Sequence, residues 1–216
     1  SEFRAKIGCP FSVTGIHPST FDREKLDVLR EAGLHFVRIG VQSLNRRMKK
    51  LYRRPYTNRR VLEVARSVPS GVKPQYDLLL DNPWETEDEQ AVTLRVLSRF
   101  PRPFQLTSFS LTLYPGTPLA EKIGSADARL KEIYEKNFRH YRKTYLNRLF
   151  YFLEEFPFLP QKWIRLLTAT RVRRTGLGWI LYYASLAFLR LQRRVYSSPL
   201  FLRMNQSSPS RISSTA

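Results

Sequence analysis

One cysteine and three histidines are all that this 216-residue chain offers in thiol and imidazole metal ligands. Cys9 alone excludes an internal disulfide, and alone it cannot hold a zinc ion or an iron–sulfur cluster. His17, His35 and His140 share no ligand spacing and read as structural or surface side chains. Negative charge is scarce, with 18 Asp and Glu against 37 Lys and Arg, so the formal net charge is +19. That balance favours phosphates, anionic lipid or acidic surfaces as partners. Long apolar runs are missing too. The stretch TGLGWILYYASLAFL (175–189) has 15 uncharged residues, short of the roughly 18 to 20 needed to span a bilayer. The first 15 residues lack a charged start followed by an apolar run, so no signal peptide is expected and the location reads as cytoplasmic, at most peripheral at a membrane. Residue 1 is Ser rather than Met, and the expectation is a chain processed or cut from something longer.

What is present is a core-forming alternation of strands and helices, with hydrophobic content at 42%. FSVTG (11–15) precedes a helical stretch in which Leu26, Leu29 and Ala32 recur at helical spacing before Gly33. HFVRIGVQS (35–43) leads into a basic loop and a helix near 58–68. VKPQYDLLLD (72–81) precedes a helix opened by Thr86 and Glu89 at capping-box spacing. FQLTSFSLTLY (104–114) runs through PGTPL into another helix. One helix per gap makes these βαβ units with parallel strands.

Parallel strands covered on both faces read as continuous apolar runs, yet these alternate. Val37, Ile39 and Val41 oppose Arg38, Gly40 and Gln42. Tyr76, Leu78 and Leu80 oppose Gln75, Asp77 and Asp81, with Leu79 a lone apolar member of the polar side. The same pattern sets Phe109, Leu111 and Leu113 against Ser108, Ser110 and Thr112, and Phe11 and Val13 against Ser12 and Thr14. One face packs on helices and the other lines something wet or charged. The fold class expected is therefore α/β, a partial TIM-like β/α barrel of about four parallel strands followed by a helical C-terminal region. Asp81-Asn82-Pro83-Trp84 then falls in a loop at the barrel mouth, where the chemistry of such folds sits.

The ordered motifs VRIGVQS, LYRRPYT, YDLLLDNPWET and SLTLYPGTPL resemble the second half of the radical SAM core domain, over roughly residues 1–122. They most resemble the branch that carries a cobalamin-binding domain ahead of that core, which tolerates DNPWET in the loop after the third strand here. The resemblance implies S-adenosylmethionine held across the barrel mouth beside a 4Fe-4S cluster, and cobalamin in the full-length protein. It implies that Gln42, followed by Ser43, hydrogen-bonds the ribose, an amide being able both to donate and to accept. Arg54, or its neighbour Arg53, would pair with the methionyl carboxylate. Asp77 would help order the adenosyl group, and Gly116 and Thr117 would bring a tight turn to the ligand.

Each residue also has a structural reading. Gln42 could be a satisfied interior amide, Arg54 part of a solvated basic loop, and Asp77 the neutralising partner of Arg38. The family's CxxxCxxC loop is absent, so no catalytic residue or metal ligand is assigned, and Cys9 reads as a small buried side chain. A complete core needs further strand–helix pairs before residue 11. The partner implied is a missing N-terminal half or a complementing chain, and this portion is expected to be inactive alone.

From Asn137 to Ala216 there are 14 Lys and Arg against two glutamates, a net +12. Residues 123–196 read as a basic, aromatic-rich helical region and 197–216 as a flexible tail. The alternative function is a non-catalytic basic module binding nucleic acid or, through 137–203, an anionic membrane surface with Trp179, Tyr182 and Tyr183 near the headgroups. A packed C-terminal helix is the competing reading of 175–189.

Overall fold

The computed structural model describes residues 2–123, 142–156 and 159–196. The expected tail at 197–216, His140 and the start of the basic region lie outside the described residues. Four strands, β1 (Phe11–Ile16), β2 (Leu34–Gln42), β3 (Lys73–Leu80) and β4 (Gln105–Ser110), form one sheet in the order β1-β2-β3-β4. Every pairing is parallel, and neighbours in sequence are neighbours in space, as in a barrel wall. A short helix α1 (Glu2–Lys6) precedes β1, and α2 (Arg23–Ala32), α3 (Arg46–Leu51), α4 (Asn58–Ser67) and α5 (Glu87–Leu97) fill the gaps. After β4 come α6 (Pro118–Ile123), α7 (Tyr145–Glu155), α8 (Gln161–Leu167), α9 (Thr170–Arg174) and α10 (Leu177–Tyr196). The partial β/α fold with a helical C-terminal region is thus as expected.

Local chemistry sets the helix starts. Thr86 and Glu89 form the anticipated capping box at the head of α5. The stretch read as a basic loop instead contains α3, because the Asn45 side chain accepts from the amides of Arg47 and Met48 at 2.8 and 3.1 Å. Met48 is fully buried, which gives this short helix an inner face.

Alternation in β2 and β3 holds as far as Leu80, with Val37, Ile39, Val41, Tyr76, Leu78 and Leu80 buried on the helix side, whereas Asp81, expected on the chamber face, follows the strand at φ 60° and turns its carboxylate into the helix layer. In β4 the faces are reversed from the expectation. The register pairs Leu78 with Ser108 and Leu80 with Ser110, and pairs Asp77 with Thr107 and Leu79 with Phe109. Ser108 and Ser110 therefore face the helices, and Phe109 faces the chamber under the Arg38 guanidinium, 5.2 Å from its centroid. The serines tolerate burial because each has a partner: Ser108 donates to Glu154 at 2.5 Å and Ser110 to Asp81 at 2.9 Å. The strand also ends at Ser110, four residues before the apolar run does.

The C-terminal helices complete the core. A single buried cluster joins Leu78, Leu94 and Phe104 to Leu149, Phe152, Ile164, Tyr182 and Leu186. Gly178 sits where α10 starts across Tyr145, and a Cβ there would lie 2.7 Å from the ring. Polar clamps reinforce the apolar seam. Arg95 of α5 donates to the Thr168 hydroxyl and carbonyl at 3.0 and 2.8 Å. Arg173, its side chain only 5% exposed, pairs with Glu87 at 3.1 Å and with Asp88 in the acidic first turn of α5.

Asp81 is the tightest of these joints. Its carboxylate, with the residue 5% exposed, accepts from the Ser110 hydroxyl at 2.9 Å, the Asn147 amide at 2.6 Å and the Arg142 backbone at 2.8 Å. Removing it leaves the Ser110 hydroxyl and the Arg142 amide unmatched, at about 1–3 kcal/mol for each such donor, while the Asn147 amide keeps its bond to the Arg142 carbonyl. Asp81→Ala is expected to lower unfolding stability by about 2–4 kcal/mol in urea titration. Arg142→Ala, at an exposed side chain, is expected to change it by less than about 1 kcal/mol.

Candidate functional site

Two departures from ordinary backbone shape the mouth of the sheet. β2 ends in a bulge between Gly40 and Gln42, and Gln42 itself has φ 61°, a left-handed conformation costing a side-chain-bearing residue about 1–2 kcal/mol. The bulge is tied down by the buried Tyr56 hydroxyl, which donates to the Val41 carbonyl at 2.6 Å. Gln42 lies over Gly40, with Nε2 3.5 Å from where a Cβ would stand. Arg53 is likewise left-handed at φ 52°. There the chain leaves α3 through bonds from the Arg53 and Arg54 amides to the Lys50 and Lys49 carbonyls, at 3.1 and 2.8 Å.

These bends bring Gln42, Arg53 and Arg54 to one cleft of about 490 Å³, closed on the far side by Thr112, Tyr114 and Thr117. Leu51, Tyr52, Leu79 and Leu119 also line it. Most of these belong to a small apolar cluster with Leu111, Leu113 and Trp84, separate from the main core. Polar heads that accept and donate thus stand over a floor suited to an apolar ring system. No hydrogen bond or ion pair engages the Gln42 amide or the Arg54 guanidinium among the described residues.

Of the six sequence-designated residues, Gln42, Arg54 and Thr117 line this cleft. Gly116 is the exposed left-handed residue of the adjoining turn, where the Thr117 hydroxyl donates to the Tyr114 carbonyl at 2.7 Å. Ser43 is 1% exposed and turned the other way, its hydroxyl accepting from the Asn45 amide at 3.1 Å and donating to Glu85 at 3.3 Å. Asp77 lies mid-strand on the chamber face and accepts from Arg38 Nε at 2.7 and 2.8 Å. That is the structural ion pair weighed for it above. Sequence reading missed Tyr52 and Tyr114 as cleft residues. It did note Leu79 as an apolar residue on a polar face, and lining the cleft explains that oddity.

The DNPWET loop supports the cleft from behind. Asn82 accepts from the Trp84 amide at 2.9 Å and donates to the Tyr52 hydroxyl at 2.7 Å, so the loop fixes a cleft wall. Glu85 is pushed up to about 7, chiefly by burial. Glu89 is held down at about 2, first by the paired Arg47 guanidinium, which reaches its two oxygens at 2.6 and 2.5 Å. A second cleft, of about 650 Å³, adjoins the first through Arg53 and Arg54 and adds Arg46, Lys49 and Lys50 with no carboxylate among its lining residues. Burial lowers the Lys49 pKa, and its ammonium donates to Asn58 at 2.6 Å.

No group of three or more His, Cys, Asp or Glu that could hold a metal ion exists among the described residues. Cys9, expected to be buried, is exposed, because α1 is exposed throughout and the residues after it stay outside the core. His17 packs edge-on against Tyr56, and its Nδ1 accepts from the Ser19 amide. Burial, aided by Arg54, lowers its pKa.

Residues 3–90 match the family model of the Radical SAM superfamily, so the resemblance carried by the motifs is shown over that span, while SLTLYPGTPL lies past it. Among solved structures, coproporphyrinogen III oxidase (HemN) from Escherichia coli, a radical SAM enzyme, aligns with TM-score 0.50 and 21% identity over 68% of this chain. The radical S-adenosylmethionine methyltransferase TsrM from Kitasatospora setae, solved with cobalamin and a [4Fe-4S] cluster, aligns with TM-score 0.44 and 20% identity over 52% of this chain. The chain covers 32% of the HemN structure and 23% of the TsrM one. No curated protein matches it.

The two glutamates act on stability with opposite sign. Glu85 is raised, so its contribution is present below the usual carboxylate range and is lost as pH climbs through about 7. Glu89 is depressed, so its contribution is present above that range and is lost as pH falls toward about 2. Urea unfolding across pH 5–8 is expected to show a decline on the order of 1–3 kcal/mol from Glu85. Glu85→Gln should flatten that limb while the acid limb remains.

Proposed function

We propose that the chain is the C-terminal part of a radical SAM core and that the cleft of about 490 Å³ holds S-adenosylmethionine. The observation that carries this reading is the pairing over an apolar floor of two polar heads, Gln42 and Arg54, that no other described residue engages in a hydrogen bond or ion pair. The Gln42 amide suits ribose hydroxyls, since it can donate to one and accept from another. The Arg54 fork suits the methionyl carboxylate, and Tyr52, Leu79 and Leu119 offer the ring system an apolar bed. Gly116 and Thr117 form the turn at the rim. Ser43 and Asp77 act through position: Ser43 holds the base of the DNPWET loop, and Asp77 fixes Arg38 inside the chamber.

In this family a 4Fe-4S cluster supplies the electron that cleaves S-adenosylmethionine. The residues described here do not fit such a cluster, with one exposed cysteine and no metal-capable group among them. We therefore ascribe binding and orientation to this chain and no redox step. The CxxxCxxC loop belongs, in this proposal, to a preceding segment or a complementing polypeptide. Residues 1–122 form the cofactor half, with the helices beyond bracing it. The DNPWET variant of the loop supports the branch whose full-length members carry a cobalamin-binding domain ahead of the core.

Titration calorimetry with S-adenosylmethionine on the chain as it stands tests the cleft. Binding is expected to weaken about 10- to 100-fold in Arg54→Ala, the loss of a charge-assisted bond, and less in Gln42→Ala. If both variants bind like the wild type, the cleft is not the site. Binding of unrelated polyanions with a steep salt dependence, without S-adenosylmethionine binding, would favour a basic module instead.

A further inference from the structure

Helix α10 is apolar on two opposite faces, and among the described residues only one of them is covered. Tyr182 and Leu186 are buried in the main core, with Trp179 and Leu189 packed against it. Trp179 also lies under the Arg148 guanidinium at 5.5 Å, so of the aromatics expected near lipid headgroups only Tyr183 points outward. The outer face carries Leu177, Ile180, Tyr183, Phe188 and Leu191, with exposures of 46, 67, 50, 59 and 62%. Ala184 and Ala187 fill the spaces between and are exposed too. At helical pitch these positions fall within an arc of about 140°, running about 21 Å along the axis. A helix apolar all round is ordinarily buried, so this face calls for a partner.

We propose that this outer face of α10 docks in the interfacial layer of an anionic lipid membrane, parallel to its plane. Charge decides between occupants. No carboxylate occurs from Leu177 to Tyr196. Arg171 and Arg174 are exposed just before the helix, Arg190 is half exposed near its end, and Arg193 and Arg194 follow in sequence. Glu154 and Glu155, the only acids in 142–196, are engaged by Ser108 and Arg190. An apolar stripe between two arginine groups matches acyl chains flanked by anionic headgroups. A second copy paired antiparallel on the same face would bring the arginines at one end of α10 against those at the other, which like charge opposes. Among the described residues no helix is long and apolar enough to cross a membrane, which leaves docking on the surface.

Co-sedimentation of the full chain with vesicles tests this, using phosphatidylcholine alone and phosphatidylcholine with about a third phosphatidylglycerol. Binding is expected on the anionic vesicles and to fall at least about tenfold on neutral ones, since each basic residue at the surface is worth about fivefold. High salt should weaken it. Ile180→Glu and Phe188→Glu should each abolish most of the binding while leaving the thermal melt unchanged. Absence of binding to anionic vesicles overturns the proposal without reference to any variant. So does wild-type binding in both glutamate variants. A lowered melting temperature in those variants would show the face to be covered within the chain. A dimer that the glutamates convert to monomer, with no vesicle binding, would assign the face to a second copy.

Discussion

Asp81 leaves β3 in a left-handed conformation, at φ 60°, and its carboxylate turns away from the chamber into the helix layer. There it gathers the end of β4 through Ser110, the start of α7 through Asn147, and the backbone of Arg142. A carboxylate so deeply buried is tolerable only because hydrogen-bond donors surround it. Once it is fixed, the next residue is aimed the other way. Asn82 reaches Tyr52 in the cleft wall, so two adjacent side chains connect the C-terminal helices to the candidate binding site.

That connection explains why the C-terminal region is no appendage in this structure. The Arg95–Thr168 and Arg173–Glu87–Asp88 clamps hold α5 at both ends, and α7 closes over β4. The helices occupy the outer layer that a β/α barrel requires over its last described strand. They also present to solvent an apolar face that nothing else in the core calls for. One element thus serves packing inward and carries an unmatched surface outward.

The mouth of the sheet depends on local strain. Gln42, Arg53 and Asp81 are the non-glycine residues with positive φ among the described residues, and each lies at or just past the end of an element beside the cleft. Such conformations persist where the surroundings determine them. Here the Tyr56–Val41 bond, the turn bonds after α3 and the Asp81 cage do so. The result is a pair of heads, Gln42 and Arg54, held at one cleft without a hydrogen-bond or ion-pair partner among the described residues.

Pattern in the sequence was enough for the four parallel strands, the helix between each pair, the Thr86–Glu89 cap and the two faces of β2 and β3, because period and capping are local properties of a chain. Ordered motifs were enough for the family resemblance over residues 3–90. What pattern could not decide was which face of β4 is inward. Ser108 and Ser110 are buried only because Glu154 and Asp81, 46 and 29 residues distant, supply their partners. Nor could it separate Gln42 and Arg54, which meet at a cleft, from Asp77 and Ser43, which are satisfied elsewhere. The outward apolar face of α10 was hidden for the same reason, since a 15-residue uncharged run reads alike whether one side or both are covered. Alternation and spacing are written along the chain, whereas the partner of a buried polar group and the cover of an apolar face exist only once distant segments meet.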